Sequence, residues 1–441
     1  MERNNLCVIR VPDFGEKEIE NKSSLEDLSL IANRSIENLN KEKNILIFPD
    51  ILNKHKDDIG KGYICKLQEK QIICEDILGF IGVNNTLLNI HSRFAKEDEQ
   101  DYFMHYMLEK VFKINLINLK YTISKESIFD FLYYLFPYFL NKALRQGVFK
   151  QYVSNQYNDT NVRGVIDVSR HIKHNIPFNG KIAYNVREYC FDNHITQLIR
   201  HTIEYLRHSK FSSILNADNY TKDNVSLICN ITPKYNINDR NSVISKNLKP
   251  LAHPYYTDYK PLQKLCIQIL SHKKIKYGES ENNNKVYGLL FRGSWLWEEF
   301  LYETILKECG FKHPKNKEGK DAIYLFKNNK KHPRFPDYMK DDFILDAKYK
   351  DLNKNLDRND IHQVISYMYI KQATKGGFIY PCSEAKDVLI NNIGELNGYG
   401  GNILNIRVPI PQNEKEYKNF VENMQKVFDT LRKEIKELNI R

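Results

Sequence analysis

The strongest constraint on this chain's fold is a short stretch late in its sequence. It reads Phe335-Pro336-Asp337, then Tyr338-Met339-Lys340-Asp341-Asp342-Phe343-Ile344-Leu345-Asp346-Ala347-Lys348. The apolar run Phe343 to Leu345 feeds directly into acid-x-base. On a strand, residues i and i+2 share a face, so Asp346 and Lys348 point one way while Leu345 and Ala347 enter the opposite layer. Asp337 belongs to the preceding strand, and a hairpin can return it beside Asp346. Two carboxylates brought together repel unless a cation lies between them. Mg²⁺ suits that place, being hard and held by one or two carboxylates plus waters, with Mn²⁺ a second candidate. The Ala347 carbonyl is a further candidate ligand, and Lys348 would hold or deprotonate an attacking water and stabilise charge on a phosphate. The alternative is an ordinary same-face ion pair. Acid-x-Lys also occurs at Glu20/Lys22, Glu384/Lys386, Glu416/Lys418 and Glu434/Lys436, but none of these follows an apolar strand core with a Pro-Asp nine residues upstream.

Composition narrows the class. At about 150 residues per domain, 441 residues imply roughly three domains. Lys+Arg exceeds Asp+Glu by 66 − 55 = 11, which favours an anionic partner such as nucleic acid. With 41% hydrophobic and 27% charged residues the chain is neither collagen-like, disordered nor a membrane bundle. The longest apolar run, Phe129 to Leu140, carries Asp130 and Pro137 and is too short to cross a bilayer, so it reads as a buried helix with a kink or break. The first residues lack the apolar segment of a secretory signal, and the eight cysteines are scattered with no C-x-x-C pair. Both features fit a reduced cytoplasmic protein with no disulfide frame, zinc site or membrane partner. No G-x-x-x-x-G-K-[ST] loop occurs, so this chain is expected to bind no nucleotide, and any motor must be another subunit.

The fold class expected is α+β and multidomain. Residues 1–95 read as a β-rich N-terminal domain, with strands at 44–48, 63–67, 71–74, 77–83 and 86–90 and a hairpin turn at Asn84-Asn85. Residues 96–285 read as a mainly helical middle domain, with helices at 98–114, 126–144, 192–208 and 259–272. A polar excursion at 150–190 interrupts them, turn-rich at Asn155 to Thr160; it is either a surface hairpin capping the helices or an element that touches a partner. Glu279 to Lys285 form a polar linker into a C-terminal α/β domain, 286–441, with a mixed sheet.

Other residues join the acid pair. Glu298, on a helix face with Trp295 and Tyr302, is a candidate third acid, or else a solvated carboxylate. Gln363 and Tyr367 share a face of the following helix, placed to touch a DNA backbone or brace the lysine. The approach is basic, with Lys312, His313, Lys315, Lys317, Lys320, Lys327, Lys330, Lys331, His332 and Arg334 against Glu318 and Asp321. Lys327, Lys330, Lys331, Arg334 and Lys350 are the candidate phosphate contacts; a solvated lysine-rich loop is the alternative.

Pro336-Asp337 with Asp346-Ala347-Lys348-Tyr349, then Gln363 and Tyr367, resembles the PD-(D/E)xK nuclease superfamily. Within it, DAKYK followed by DRNDIHQVISYMY resembles the McrC family of nuclease subunits from McrBC-type and LlaJI-type restriction systems. Leu296 to Phe300, Leu144-Arg145-Gln146-Gly147, Tyr152, Arg163-Gly164-Val165-Ile166-Asp167, Asp192-Asn193 and Gly79 to Ile90 extend the resemblance upstream. His194 departs from the family pattern. The resemblance implies a Mg²⁺-dependent DNA endonuclease leaving 5′-phosphate and 3′-hydroxyl ends. It implies metal ligation by Asp337, Asp346 and Ala347, and Glu298, Lys348, Gln363 and Tyr367 in the catalytic set. It also implies a GTP-hydrolysing AAA+ hexamer, McrB-like, as the stimulated partner that recognises DNA, often through modified cytosine. The 150–190 excursion, with Arg163 and Tyr152, is then the candidate ring contact. A stand-alone restriction or repair nuclease and a non-catalytic activator of an AAA+ ring are the competing readings.

Overall fold

The computed structural model describes residues 7–42, 44–49, 62–96, 100–114, 125–277, 286–314, 321–352, 356–398 and 400–438. The expected linker at 279–285 and Lys315, Lys317, Glu318 and Lys320 lie outside the described residues.

In chain order the first part holds β1 (Cys7–Pro12), β2 (Glu16–Glu18), α1 (Lys22–Ser29), α2 (Ile36–Glu42), β3 (Asn44–Phe48), β4 (Cys65–Gln68), β5 (Gln71–Cys74), β6 (Leu78–Val83), β7 (Thr86–His91) and α3 (Tyr102–Phe112). The middle holds α4 (Lys125–Leu144), β8 (Gln151–Asp159), β9 (Val165–Ile166), α5 (Val168–Asn175), β10 (Ile182–Cys190), α6 (His194–Arg207), α7 (Asn219–Ile231), α8 (Arg240–Lys246) and α9 (Tyr259–Tyr277). The last part holds β11 (Val286–Phe291), α10 (Gly293–Leu301), β12 (Ile323–Phe326), β13 (Asn329–Arg334), β14 (Tyr338–Lys340) and β15 (Phe343–Ala347). It ends with α11 (Arg358–Lys371), β16 (Lys375–Cys382), β17 (Leu389–Glu395), β18 (Asn402–Pro409) and α12 (Tyr417–Leu438). The class is α+β with several sheets.

The division expected at 95 and 285 is corrected by the packing. The chain forms two compact units: residues 1–128 with 281–441, and residues 129–280. The physical reason is β11. Its sequence VYGLLF is buried at every position, so it needs cover on both faces and a neighbour on each edge. It finds them in the N-terminal sheet, order β1-β7-β6-β11-β3, lying antiparallel to β6 and parallel to β3. Gly79 makes the approach possible: a Cβ there would stand 2.2 Å from the Leu289 carbonyl oxygen, and its φ of +119° is glycine's territory. One face of this sheet meets α1 and α2 through Leu28, Ile36 and Leu39, packed with Val11, Ile45, Ile81 and Leu290. Each such side chain contributes about 1.5–3 kcal/mol when fully buried. The Asn84-Asn85 turn joins β6 to β7 as expected, Asn84 at φ 48°.

The second sheet of this unit is mixed, order β14-β15-β16-β18-β17. Strands β15, β16 and β18 are parallel; β14 and β17 run antiparallel at the edges. The β15–α11–β16 crossover lays α11 on one face, where Ile344, Val364, Tyr367, Met368 and Phe378 share a core. Helix α12 buries Tyr417, Phe420, Met424, Phe428, Leu431 and Ile435, a spacing of three and four residues that gives one apolar stripe.

In the middle unit α4 continues as helix through Pro137, so the run is not broken there. The segment read as turn-rich at 155–160 is strand for most of its length: β8 pairs with β10 from Gln151 to Asp159, and β9 adds to the other edge of β10. Paired strands satisfy the backbone groups that a polar loop would leave to water, so this alternation of polar and aromatic residues resolves as sheet. Asn193 starts α6 as its N-cap, taking the Ile195 and Thr196 N–H groups at 3.0 and 3.3 Å. Among the described residues no helix is long and apolar enough to cross a membrane, and all eight cysteines are free thiols.

Candidate active site

The site grows out of the β14–β15 hairpin. Tyr338 pairs with Leu345, so the next position on each strand sets Asp337 opposite Asp346. The hairpin closes at Asp341, which adopts φ 46°. Asp337 Oδ2 accepts the Ala347 N–H at 2.8 Å. N–H and C=O of one strand residue face the same neighbour, so the Ala347 carbonyl looks to the same side.

Alternation then places Ile344, Asp346 and Lys348 on the face that α11 covers. Asp346 is 2% exposed, and its Oδ2 lies 2.8 Å from Lys348 Nζ. The ammonium also meets Asp360 Oδ1 at 3.0 Å and donates to Gln363 Oε1 at 3.0 Å. Gln363 Nε2 donates to the Tyr367 hydroxyl at 2.6 Å, and that hydroxyl donates to the Phe335 carbonyl at 3.2 Å. Gln363 and Tyr367 therefore brace the lysine, with Tyr367 fully buried.

Electrostatics follow from this packing. Burial, with Glu298 and Asp346 nearby, pushes the Asp337 carboxyl well above the ordinary carboxylate range. Burial also raises Asp346, against the opposing pull of Lys348. Burial works to lower Lys348, but Asp346 and Asp360 outweigh it and hold the ammonium above its ordinary value. Lys348 thus stays charged as a donor, which favours charge stabilisation over proton abstraction. Burial works to raise Asp360, yet Lys350 and Lys348 hold it below the ordinary range.

An open cleft of about 640 Å³ sits over this cluster, lined among others by Glu298, Asp337, Gln363, Tyr367, Arg292, Ser294, Trp295, Arg334 and His362. Glu298 does lean into it. Among the described residues, however, no three His, Cys, Asp or Glu side chains gather tightly enough to cage a metal. Two facing carboxylates and a carbonyl remain. That set fits Mg²⁺, which keeps several waters and takes few protein ligands. Of the candidate DNA contacts, Lys350 is engaged by Asp360 at 2.7 Å, while Lys327, Lys330, Lys331 and Arg334 lie on or beside β13. Arg163 and Tyr152 belong to the other compact unit.

Sequence reasoning missed three supports. Asp360, on the α11 face of Gln363, is a second carboxylate on Lys348, and its i, i+3 spacing was readable. His313 donates from Nδ1 to the Asp337 carbonyl at 2.8 Å, and its Nε2 stands 3.5 Å from Glu299. Tyr349, next to Lys348, is pinned from far away in sequence. Its hydroxyl lies 2.8 Å from Ser92 Oγ, and its ring lies under Arg93, which Asp13 clamps through Nε at 2.8 Å. The ring packs so closely on the start of α10 that a Cβ on Gly293 would stand 2.5 Å from it. Asp76 caps the same helix through Ser294 Oγ at 2.6 Å. Tyr349→Phe should cost about 1–2 kcal/mol in urea unfolding. Ser92→Ala should cost less in that background than alone, because only its bond from the Phe94 N–H at 3.2 Å is then left to lose. Fully additive losses would show that the hydroxyls do not act as a pair.

The family model described as McrBC 5-methylcytosine restriction system component matches residues 72–381. This chain belongs to that family. Among curated proteins none matches it. Among solved structures it is similar to a chain of the refined half-complex from the tetradecameric assembly of Thermococcus gammatolerans McrB AAA+ hexamers with bound McrC. That match has 15% identity and a TM-score of 0.48, and it covers 95% of this chain and 100% of the other. A chain of the Thermococcus gammatolerans McrBC complex is also similar, at 15% identity and TM-score 0.33, covering 68% and 88%.

Proposed function

We propose that this chain is the DNA-cleaving subunit of an McrBC-type restriction system, a metal-dependent endonuclease of the PD-(D/E)xK type that works with an AAA+ GTPase. The observation that carries this reading is Asp337 facing Asp346 across the β14–β15 register, with Lys348 on the same strand face and tied to Asp346. Asp337, Asp346 and the Ala347 carbonyl hold Mg²⁺, which when bound supplies Lewis acidity at a phosphate oxygen. Lys348, kept charged by Asp346 and Asp360, positions the attacking water and stabilises charge developing on the scissile phosphate. Gln363 and Tyr367 fix the lysine's direction, and Glu298 faces the same cleft as a further acid. Attack by water leaves 5′-phosphate and 3′-hydroxyl ends. Phosphates are drawn in by Lys327, Lys330, Lys331 and Arg334.

The partner contact is the β8–β10 hairpin. It exposes Tyr152, whose ring is tilted against Tyr189 at 5.0 Å, and the segment between its strands leaves Val165 and Phe178 77% and 69% exposed. Arg163 lies over the Tyr157 ring at 4.9 Å. Apolar surface of this kind suits a protein partner, here the ring of an McrB-like AAA+ hexamer that supplies the nucleotide chemistry.

The test is plasmid cleavage with Mg²⁺, with and without an McrB-like AAA+ GTPase partner. Cleavage should need both proteins and GTP, and Asp346→Ala or Lys348→Ala should abolish it while GTPase stimulation persists. Tyr152→Ala with Arg163→Ala should weaken co-elution of the two proteins. Vigorous cutting by this chain alone would establish a stand-alone nuclease. Undiminished cutting by the Asp346 and Lys348 variants would leave it only a ring activator.

A further inference from the structure

Strands β12 and β13 form a two-stranded ribbon of their own, apart from both large sheets. From Ala322 to Pro336 the sequence has no Asp or Glu, but it has three lysines, an arginine and a histidine. Among the described residues none of those four cations is in an ion pair. The pairing is irregular where the charge is densest. Between the pairs Tyr324–Pro333 and Phe326–Asn329, Leu325 alone opposes Lys330, Lys331 and His332. Such a bulge twists the ribbon and re-aims its side chains.

The root of the ribbon is fixed. Ile323 packs on the core that Ile344 shares with α11, and Arg334, its cross-strand partner, lines the carboxylate cleft. The far end is exposed: Phe326 is 50% accessible, its ring edge-on to His332 at 6.0 Å.

A cleft floored by carboxylates repels a polyanion, so the attraction must come from beside it. The major groove of duplex DNA, about 12 Å wide and 8.5 Å deep, admits either a helix or a two-stranded ribbon. Two strands about 4.8 Å apart, with side chains on both flanks, fill that width. We propose that the ribbon Ile323–Arg334 is a duplex-docking arm. It enters the major groove beside the cut site, with Lys327, Lys330 and Lys331 on flanking phosphates and Phe326 against base edges. The proposal rests on the reading of the cleft as the place where DNA is held.

The test is binding of the full chain to a fluorescein-labelled DNA duplex in EDTA, followed by anisotropy across a salt series. Lys327→Ala/Lys330→Ala/Lys331→Ala should weaken binding roughly tenfold or more at moderate salt. It should flatten the log–log salt slope by about 2.7, near 0.9 per lost phosphate contact. Its thermal melt should match the wild type, since these side chains are exposed. Methyl green, which fills the major groove, should displace the duplex, and netropsin, which fills the minor groove, should not. Wild-type affinity and slope in the triple variant, displacement by netropsin alone, or preference for the single strand would each overturn the arm. Because no metal is present, the outcomes separate. Duplex binding of this kind without cleavage once Mg²⁺, the AAA+ GTPase partner and GTP are added defeats the nuclease reading alone, and normal binding and cutting by the triple variant defeats the arm alone.

Discussion

Asp337→Asn should reduce DNA cleavage by the assembled complex a hundred- to a thousandfold or more, roughly the cost of losing one electrostatic group aimed at the reacting centre. The same change should raise the melting temperature at neutral pH. Asp337 and Asp346 face each other in a buried place, and burial with neighbouring negative charge pushes the Asp337 carboxyl above the ordinary range. A carboxyl raised in the folded state binds its proton more tightly there than in the unfolded chain. Ionising it therefore costs stability. The cost is absent below the ordinary carboxylate range and grows as pH rises from there through the raised folded value. Asn removes that cost and still accepts the Ala347 N–H. The gain in melting temperature should vanish in acid, and added Mg²⁺ should stabilise the wild type more than the variant. Thermal melts across pH, with and without Mg²⁺, read all three effects. A variant that melts lower than wild type at pH 7, or still cuts normally, would sink the carboxylate-pair reading.

Trp297→Ala has the largest expected effect on stability, about 3–5 kcal/mol. Trp297 is completely buried on α10, 5.9 Å from the Phe103 ring and 5.8 Å from Phe300, and its Nε1 reaches the Ile379 carbonyl at 3.4 Å. Truncation leaves a cavity among α3, α10 and β16 and removes one of two donors to that carbonyl, which keeps the Lys348 N–H at 3.0 Å. Urea unfolding followed by circular dichroism measures the loss, because Trp297 is one of only two tryptophans and fluorescence would change for trivial reasons. A loss under about 1 kcal/mol would mean the aromatic cluster collapses around the gap.

Much of the local structure was legible. The hairpin that returns Asp337 to Asp346 needed only the apolar strand core and its period of two, and the stripe on α12 needed only its period near 3.6. Gln363 and Tyr367 were readable for the same reason, since one helical turn separates them. The strand running through the turn-rich residues of β8 shows the limit. Polar residues such as Asn155 and Gln156 carry turn propensity, and pairing with β10 overrides it by satisfying the backbone groups along one edge of the strand. Pro137 inside α4 is the same lesson with the opposite sign.

By itself, then, the sequence determined which side chains share a strand or helix face, because that depends only on backbone periodicity. Only the tertiary structure decided that β11 joins a sheet begun almost 300 residues earlier, and that Ser92, Arg93, Asp13 and Asp76 brace Tyr349 and the start of α10. Such contacts carry no spacing signal. They exist because a fully apolar strand and a buried hydroxyl must each find a complement, and that complement is chosen by the packing of the whole unit.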